Sequence, residues 1–480
     1  MKKIIAAVLS LCILGGALPA FRNYVPNTEI TARAADYTSV TDGYLTYNVY
    51  EDYAILKFCN TKATGDIVIA SEVNGVPVTK IEDECFYNSS VISSVGLEIS
   101  SVVIPDSVTS IGDRAFYYCT SLESVTIPDS VTSIGVAAFG YCKSLESIEV
   151  SENNDYYSEN DGVLFDKSLK ALIQYPAGKT DTSYSIPDNV TSISNSCFSG
   201  CSAITSITMP NSVTSIEERA FDNCRNLSSI EISNSVMNIG DRAFYCCTSL
   251  TSIKIPYGAT SIGNRAFFSC ESLTSIEIPN SITIIEDNAF ALCISLTSID
   301  IPDSVTIIDR CAFLQCYNLT SINIPNSLTS IGSSAFSDCK IESITLPDSV
   351  TSIGSSAFSN CRSLETINVS ENNENYSSID GVLFDKKQET LINYPIKKTG
   401  ISYSIPNGVT TIDESAFYST SLTSITIPDS VISIGGMAFE YCDRLESIYI
   451  LNPDCEIYDR ANTICNGYYT DSYYFTGTIY

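Results

Sequence analysis

The 480-residue chain contains no histidine and no tryptophan. Without histidine it cannot assemble the Ser-His-Asp or Cys-His arrangements of hydrolases, or the ligand sets of the usual zinc enzymes. Without tryptophan it lacks one sugar-stacking side chain, although 29 tyrosines leave stacking against a glycan open. Positive charge is scarce: 26 Lys and Arg stand against 55 Asp and Glu, a formal net charge of −29. That excludes a surface for nucleic-acid phosphates and docking on an anionic membrane. There is no Gly-rich phosphate loop. No segment shows the ten or more periodic residues of an ordinary helix, and beyond the N-terminus no apolar run is long enough to cross a bilayer. Asp and Glu recur at repeat positions, as on a solvated face, rather than as an isolated glycosidase pair. The reading is of a non-enzyme with no catalytic, cofactor-binding or metal-binding residues.

What is present begins with MKKIIAAVLSLCILGGALPA. Lys2 and Lys3 precede a short apolar core from Ile4 to Leu18, the pattern of a secretory signal peptide. Cleavage is expected after Ala34, in ARAAD, with Ala20 as the alternative. The mature chain is then exported to the cell surface or the medium.

The line IPDSVTSIGDRAFYYCTSL, from Ile104 to Leu122, nearly returns as IPDSVTSIGVAAFGYCKSL, from Ile127 to Leu145. A hook of apolar, any, apolar, then Pro marks each unit, at Pro105, Pro128, Pro210, Pro256, Pro279, Pro302 and further positions. Three elements are expected in one unit. Leu-x-Ser-Ile-x-Ile alternates as a half-buried strand, ended by a proline that offers no amide to a ladder. Ser-Val-Thr-Ser-Ile-Gly adds a turn and a short extended piece. Ala-Phe-x-x-Cys is compact enough for one helical turn. Such a unit buries its apolar side only against copies of itself, so the units stack.

Stacking aligns the cysteines. Cys119, Cys142, Cys201, Cys224, Cys247, Cys270, Cys293, Cys316, Cys339, Cys361 and Cys442 each follow the repeat phenylalanine by three residues. Parallel Cβ directions make bridging poor, so a column of free, buried thiols is expected, with disulfides excluded despite export. A zinc site would need clustered cysteines, commonly with histidine. Cys197 beside Cys201 and Cys311 beside Cys316 only substitute at other repeat positions.

The IPDSVTSIG hooks, the AFxxC turns and the LxSIxIP strands resemble those of the BspA-like bacterial surface proteins, whose leucine-rich repeats are of the Treponema type. The resemblance covers about Ile67 to Leu451. It departs at Ser89 and Thr420, which stand in the cysteine slot, and at Ser151, Ser233 and Ser370, which replace the hook proline. It implies a repeat solenoid, mainly β: a right-handed superhelix with a parallel sheet along one face, and short extended pieces and single helical turns on the other. It also implies a place on or outside the bacterial surface and a protein-binding role such as adhesion. No sorting signal, cell-wall module or dockerin-like repeat explains surface retention.

The expected layout is a signal peptide over 1–34, an N-terminal β-hairpin cap over 35–66 and the solenoid over 67–451. Residues 452–480 read as an incomplete C-terminal cap, consistent with a chain cut short. Two insertions, about 152–186 and 371–405, share the text DGVLFDK at Asp161–Lys167 and Asp380–Lys386. They are expected to project as hairpins. A ligand-contacting knob, a weak calcium site and a merely decorative hairpin remain the alternatives; calcium is disfavoured because the EF-hand order is missing.

On the outward face of the strands a near-constant serine row runs beside a variable one: Thr126, Glu149, Thr208, Glu231, Lys254, Glu277, Asp300, Asn323 and Thr345. Core positions are fixed while this row changes. A wide polar strip suits an extended macromolecule better than a small ligand, and its acids favour a basic patch on the partner. The expected function is adhesion to an extracellular protein or another cell. A glycan is the alternative partner, and a passive spacer for a missing C-terminal module the alternative role.

Overall fold

The structure, a computed structural model, describes residues 37–87, 97–458, 463, 467–469, 472–474 and 478–479. The expected signal peptide and Ser89 lie outside the described residues, as does much of the expected C-terminal cap.

Each repeat contributes one rung to three parallel ladders. The first is built from the alternating strands. Ser124–Ile127 pairs in parallel with Ser147–Val150, Ser over Ser and Val125 over Ile148. Val125 and Ile127 face inward while Ser124 and Thr126 are exposed, the period-two alternation that the sequence carries. The second ladder uses two-residue strands: Ser133–Ile134 lies over Ser110–Ile111 in register, and Ser215–Ile216 over Ser192–Ile193. The short extended pieces thus make sheets of their own, in several separate runs along the chain.

The third ladder is the Ala-Phe-x-x-Cys turn, and here the expectation of a helical turn is corrected. Among the described residues from 37 to 458 there is no helix. Alternate amides run in two directions. Arg114, Phe116 and Tyr118 donate forward to the Val136, Ala138 and Gly140 carbonyls at 2.9, 2.8 and 3.0 Å. Ala115, Tyr117 and Cys119 close local turns onto Gly112, Arg114 and Phe116 at 3.3, 3.0 and 3.1 Å. A helix aims every amide along its own axis. Here half of them bind the next rung, which requires left-handed backbone at Arg114 (φ 52°) and Tyr118 (φ 62°). Later turns repeat this at Arg219 and Asn223 and at Arg242 and Cys246. Each such non-glycine residue costs on the order of 1 kcal/mol, offset by the inter-rung hydrogen bond it allows.

The core consists of columns. Phe244 and Phe267 stack with ring centroids 5.3 Å apart and planes within 2°, and neighbouring pairs repeat this geometry. Stacks of this kind contribute about 0.5–1.5 kcal/mol beyond burial.

The two insertions hold hairpins, but these are woven into the solenoid wall instead of projecting from it. Tyr157–Asn160 pairs antiparallel with Val163–Asp166. That strand pairs antiparallel with Ala171–Gln174, which joins the second ladder in parallel with Ser192–Ile193. The second copy, Tyr376–Ile379, Val382–Asp385 and Thr390–Asn393, has the same order. The physical reason lies in three consecutive apolar residues. Val163, Leu164 and Phe165 are all fully buried, so both faces of the strand are covered, whereas a projecting hairpin would leave one in water. A buried Asn154 fixes the start of the insertion. Its amide donates to the Pro128 and Val131 carbonyls at 2.8 and 3.0 Å, and its oxygen accepts from the Tyr156 and Tyr157 amides, each at 2.8 Å. Asn373 repeats this arrangement against Pro347 and Val350.

Candidate protein-binding surface

The nine variable-row residues, Thr126, Glu149, Thr208, Glu231, Lys254, Glu277, Asp300, Asn323 and Thr345, are all exposed. Alternation along each strand turns them outward while the isoleucine, or Val125 before Thr126, that precedes each is drawn into or against the core. The parallel register puts one over the next: Thr208 over Glu231, Lys254 over Glu277, Glu277 over Asp300, Asp300 over Asn323. Neighbouring strands lie about 4.8 Å apart, so these side chains form a closely spaced polar column.

Their contacts are few. Thr126 donates to Glu149 Oε2 at 3.3 Å. Lys254 Nζ stands 5.0 Å from the Tyr257 ring centroid, and the Tyr257 hydroxyl reaches Glu277 Oε1 at 3.5 Å. Among the described residues, no ion pair engages Glu231, Glu277 or Asp300. Beside the column, at the hook end of the strands, runs an open trough. One stretch of about 630 Å³ has Tyr257, Glu277, Pro279, Asp300, Pro302 and Asp303 in its lining. A second of about 610 Å³ continues past Thr345, Pro347 and Asp348, and Asn323 borders both.

The column is longer than the nine residues and is not continuous. Ser185 lies over Thr208, Asn368 over Thr345 and Tyr449 over Thr426, all two positions before a hook. The hook spacing alone was sufficient to find them. The two long hook intervals, Ser151 to Pro187 and Ser370 to Pro406, mark where the insertions fall but not that their tips take a place beside the strands. After Glu149 the next strand position is taken by the insertion tip: the Ile148 amide donates to the Gly162 carbonyl at 2.9 Å. The same occurs at Ile367 and Gly381. The expected single strip is therefore divided into three panels.

The cysteines do not join this surface. Cys119, Cys142, Cys201, Cys224, Cys247, Cys270, Cys293, Cys316, Cys339, Cys361 and Cys442 are free and buried. Ten of them donate the thiol hydrogen to a phenylalanine carbonyl of the preceding turn, as Cys270 does to Phe244 at 3.2 Å. Cys201, next to an insertion, reaches the Tyr175 carbonyl at 3.9 Å. Burial pushes the Cys142 and Cys361 thiols up to about 12. Thr420, in the same slot, lies 3.3 Å from the Cys442 sulfur. Among the described residues, no group of three or more His, Cys, Asp or Glu could hold a metal ion, and no helix is long and apolar enough to cross a membrane.

Parallel ladders of short strands around a columnar core, with one polar face of variable sequence, define a β-solenoid of the leucine-rich-repeat type. The chain belongs to the BspA type leucine rich repeat family, whose model matches residues 79–166, 178–296, 283–404 and 399–469. Solved structures with a similar arrangement include a leucine rich cell surface protein from Faecalibacterium prausnitzii. It is 26% identical over 86% of this chain and 76% of that one, with a TM-score of 0.34. A leucine-rich repeat protein from Bacteroides ovatus is 24% identical over 86% and 82% of the two chains, with a TM-score of 0.40. One from Treponema pallidum is 20% identical over 59% and 92%, with a TM-score of 0.24. None of the curated proteins matches the chain.

Proposed function

We propose that this protein is exported, is displayed at the bacterial surface or released from it, and binds an extracellular protein, so that it acts in adhesion and not in catalysis. The observation that carries this reading is the outward column itself: side chains that vary from rung to rung, exposed and in register, over a core that hardly varies. Among the described residues Glu231, Glu277 and Asp300 have no ion-pair partner, so a partner that presents Lys or Arg gains charge complementarity without displacing an internal ion pair. The test compares the wild-type protein with the Glu231→Lys/Glu277→Lys/Asp300→Lys variant on arrays of extracellular matrix proteins and of glycans. Protein binding that falls at least about tenfold in the variant supports the reading. Equal binding by both forms removes this face from the function.

One observation favours glycan binding as a second reading. Tyr257 is 64% exposed at the wall of the trough, where an aromatic face beside carboxylates can stack on a sugar and accept its hydroxyls. Glycan binding abolished by Tyr257→Ala, with no protein bound, would select it. Binding to neither array would leave a spacer.

A further inference from the structure

Among the described residues, the buried apolar core forms three clusters and not one. The first runs from Leu45 to Ile148 and includes Leu164. The second runs from Val163 to Ile367 and includes Leu383. The third runs from Val382 to Ile448. Adjacent residues of one strand therefore belong to different cores: Leu164 faces back into the first, while Val163 and Phe165 face forward into the second. Leu383, against Val382 and Phe384, repeats the division. The aromatic column breaks at the same places. It runs Phe86–Phe116–Phe139, restarts at Tyr175 stacked on Phe198 and continues to Phe358, then restarts at Tyr394 stacked on Phe417. The short-strand ladder also stops and restarts at the insertions, and has one further break inside the middle block between Ile262 and Ile284. Its last rungs before each insertion are closed by tyrosine hydroxyls: the Ile134 amide donates to Tyr157 at 2.8 Å, and the Ile353 amide to Tyr376 at 2.9 Å.

The same device stands at the start of the solenoid. Leu45–Val49 pairs antiparallel with Ala54–Cys59, which pairs in parallel with Val76–Ile81 and opens the first short-strand ladder. The turn between Thr38–Asp42 and Leu45–Val49 is Gly43–Tyr44, with Gly43 left-handed, whereas the insertion turns, Asp161-Gly162 and Asp380-Gly381, have both residues left-handed. The register shift falls at one equivalent place in all three, between Thr46 and Tyr47, Leu164 and Phe165, and Leu383 and Phe384. Tyr47 opposite Leu56 thus corresponds to Phe165 opposite Leu172 and to Phe384 opposite Leu391. The preceding position is a half-buried Thr46 at the start of the solenoid, where no rung lies before it among the described residues, and a fully buried leucine in the interior, where a core must be covered.

We infer that each insertion is an internal copy of the N-terminal cap, closing one solenoid block and starting the next, so that the chain is three capped blocks in series that open and close separately. A stack without such bulkheads passes disorder from rung to rung, because each rung's apolar side is covered only by its neighbours. A covered end limits that spread. The seam between the first two blocks carries polar contacts, Arg219 Nη1 to the Tyr117 hydroxyl at 3.2 Å and Asn223 Nδ2 to the Tyr141 hydroxyl at 2.7 Å, which align the blocks without merging their cores. The inference is independent of what the outward face binds.

The test is hydrogen exchange read by mass spectrometry on the full-length protein, its Phe267→Ala variant and the milder Ile276→Val variant, which carries the comparison if the first does not fold. The expected result is exchange faster by at least about tenfold across peptides from 163 to 369, with peptides from 382 to 450 unchanged. Acceleration that also crosses into 382–450 overturns the inference. So does acceleration confined to the rungs beside the substitution, and so does none at all, because the middle block then fails to open as a unit.

Discussion

At the scale of the residue, the cysteine slot joins two requirements at one position. The phenylalanine carbonyl it serves already accepts the local turn amide, as Phe116 does from Cys119. Its second lone pair faces a dry interior, and a small side chain with a weak donor satisfies it without adding a group that demands water. Desolvation raises the Cys142 and Cys361 thiols to about 12. The consequence for stability has a definite sign. An unfolded thiol titrates near about 8.5, so the contribution is complete below that pH and is lost as pH rises toward the folded value. Buried phenols such as Tyr117, also raised to about 12 by burial, add to the same slope. The midpoint of thermal unfolding should therefore stay flat from about pH 6 to 8 and fall between about pH 9 and 11. In native protein at about pH 8 the column thiols should react with a disulfide reagent only as fast as the chain unfolds. Rapid labelling of the whole column would contradict the packing described.

At the scale of the element, the glycines of the cap turns separate two kinds of constraint. Gly43 has φ of 57° and open space where a Cβ would stand. Gly162 has φ of 75°, and its Cβ would lie 2.9 Å from the Cβ of Ser147. Alanine at Gly43 should cost about 1 kcal/mol, the left-handed backbone alone. Alanine at Gly162 should cost roughly 2–4 kcal/mol, because the tip must also lift off the strand it borders. Chemical denaturation of the two variants measures the difference; equal losses would show that the tip does not seat against Ser147. The strands themselves were legible in sequence, since period two in Leu-x-Ser-Ile-x-Ile admits one assignment. The Ala-Phe-x-x-Cys turn was not, because Arg114, Ala137, Ser196 and Cys311 share a left-handed conformation that their residue types do not announce.

At the scale of the whole molecule, charge governs encounter. A net −29 surrounds the outward column with a field that draws cationic partners and repels anionic surfaces. If that column is the contact, affinity for a basic protein partner should fall at least about fivefold between about 0.05 and 0.5 M NaCl, as the Debye length shrinks below the spacing of the groups involved. A salt-independent affinity measured by calorimetry would place the contact elsewhere. The face is also divided. Asp161, its side chain 82% exposed, and the glycine after it stand between the first and second panels. A long partner therefore meets three short polar fields separated by loop tips.

The sequence by itself determined the rung: its strand, its hook, its inward isoleucine, phenylalanine and cysteine, and the residues turned outward. Near-identical units must stack like over like to bury those side chains, so periodicity fixes register. Tertiary structure alone decided what the insertions do. Three apolar residues in a row, Val163 to Phe165, say that both faces of a strand are covered but not by what. That one face closes the block behind and the other opens the block ahead depends on contacts between segments far apart in the chain, which no local pattern encodes.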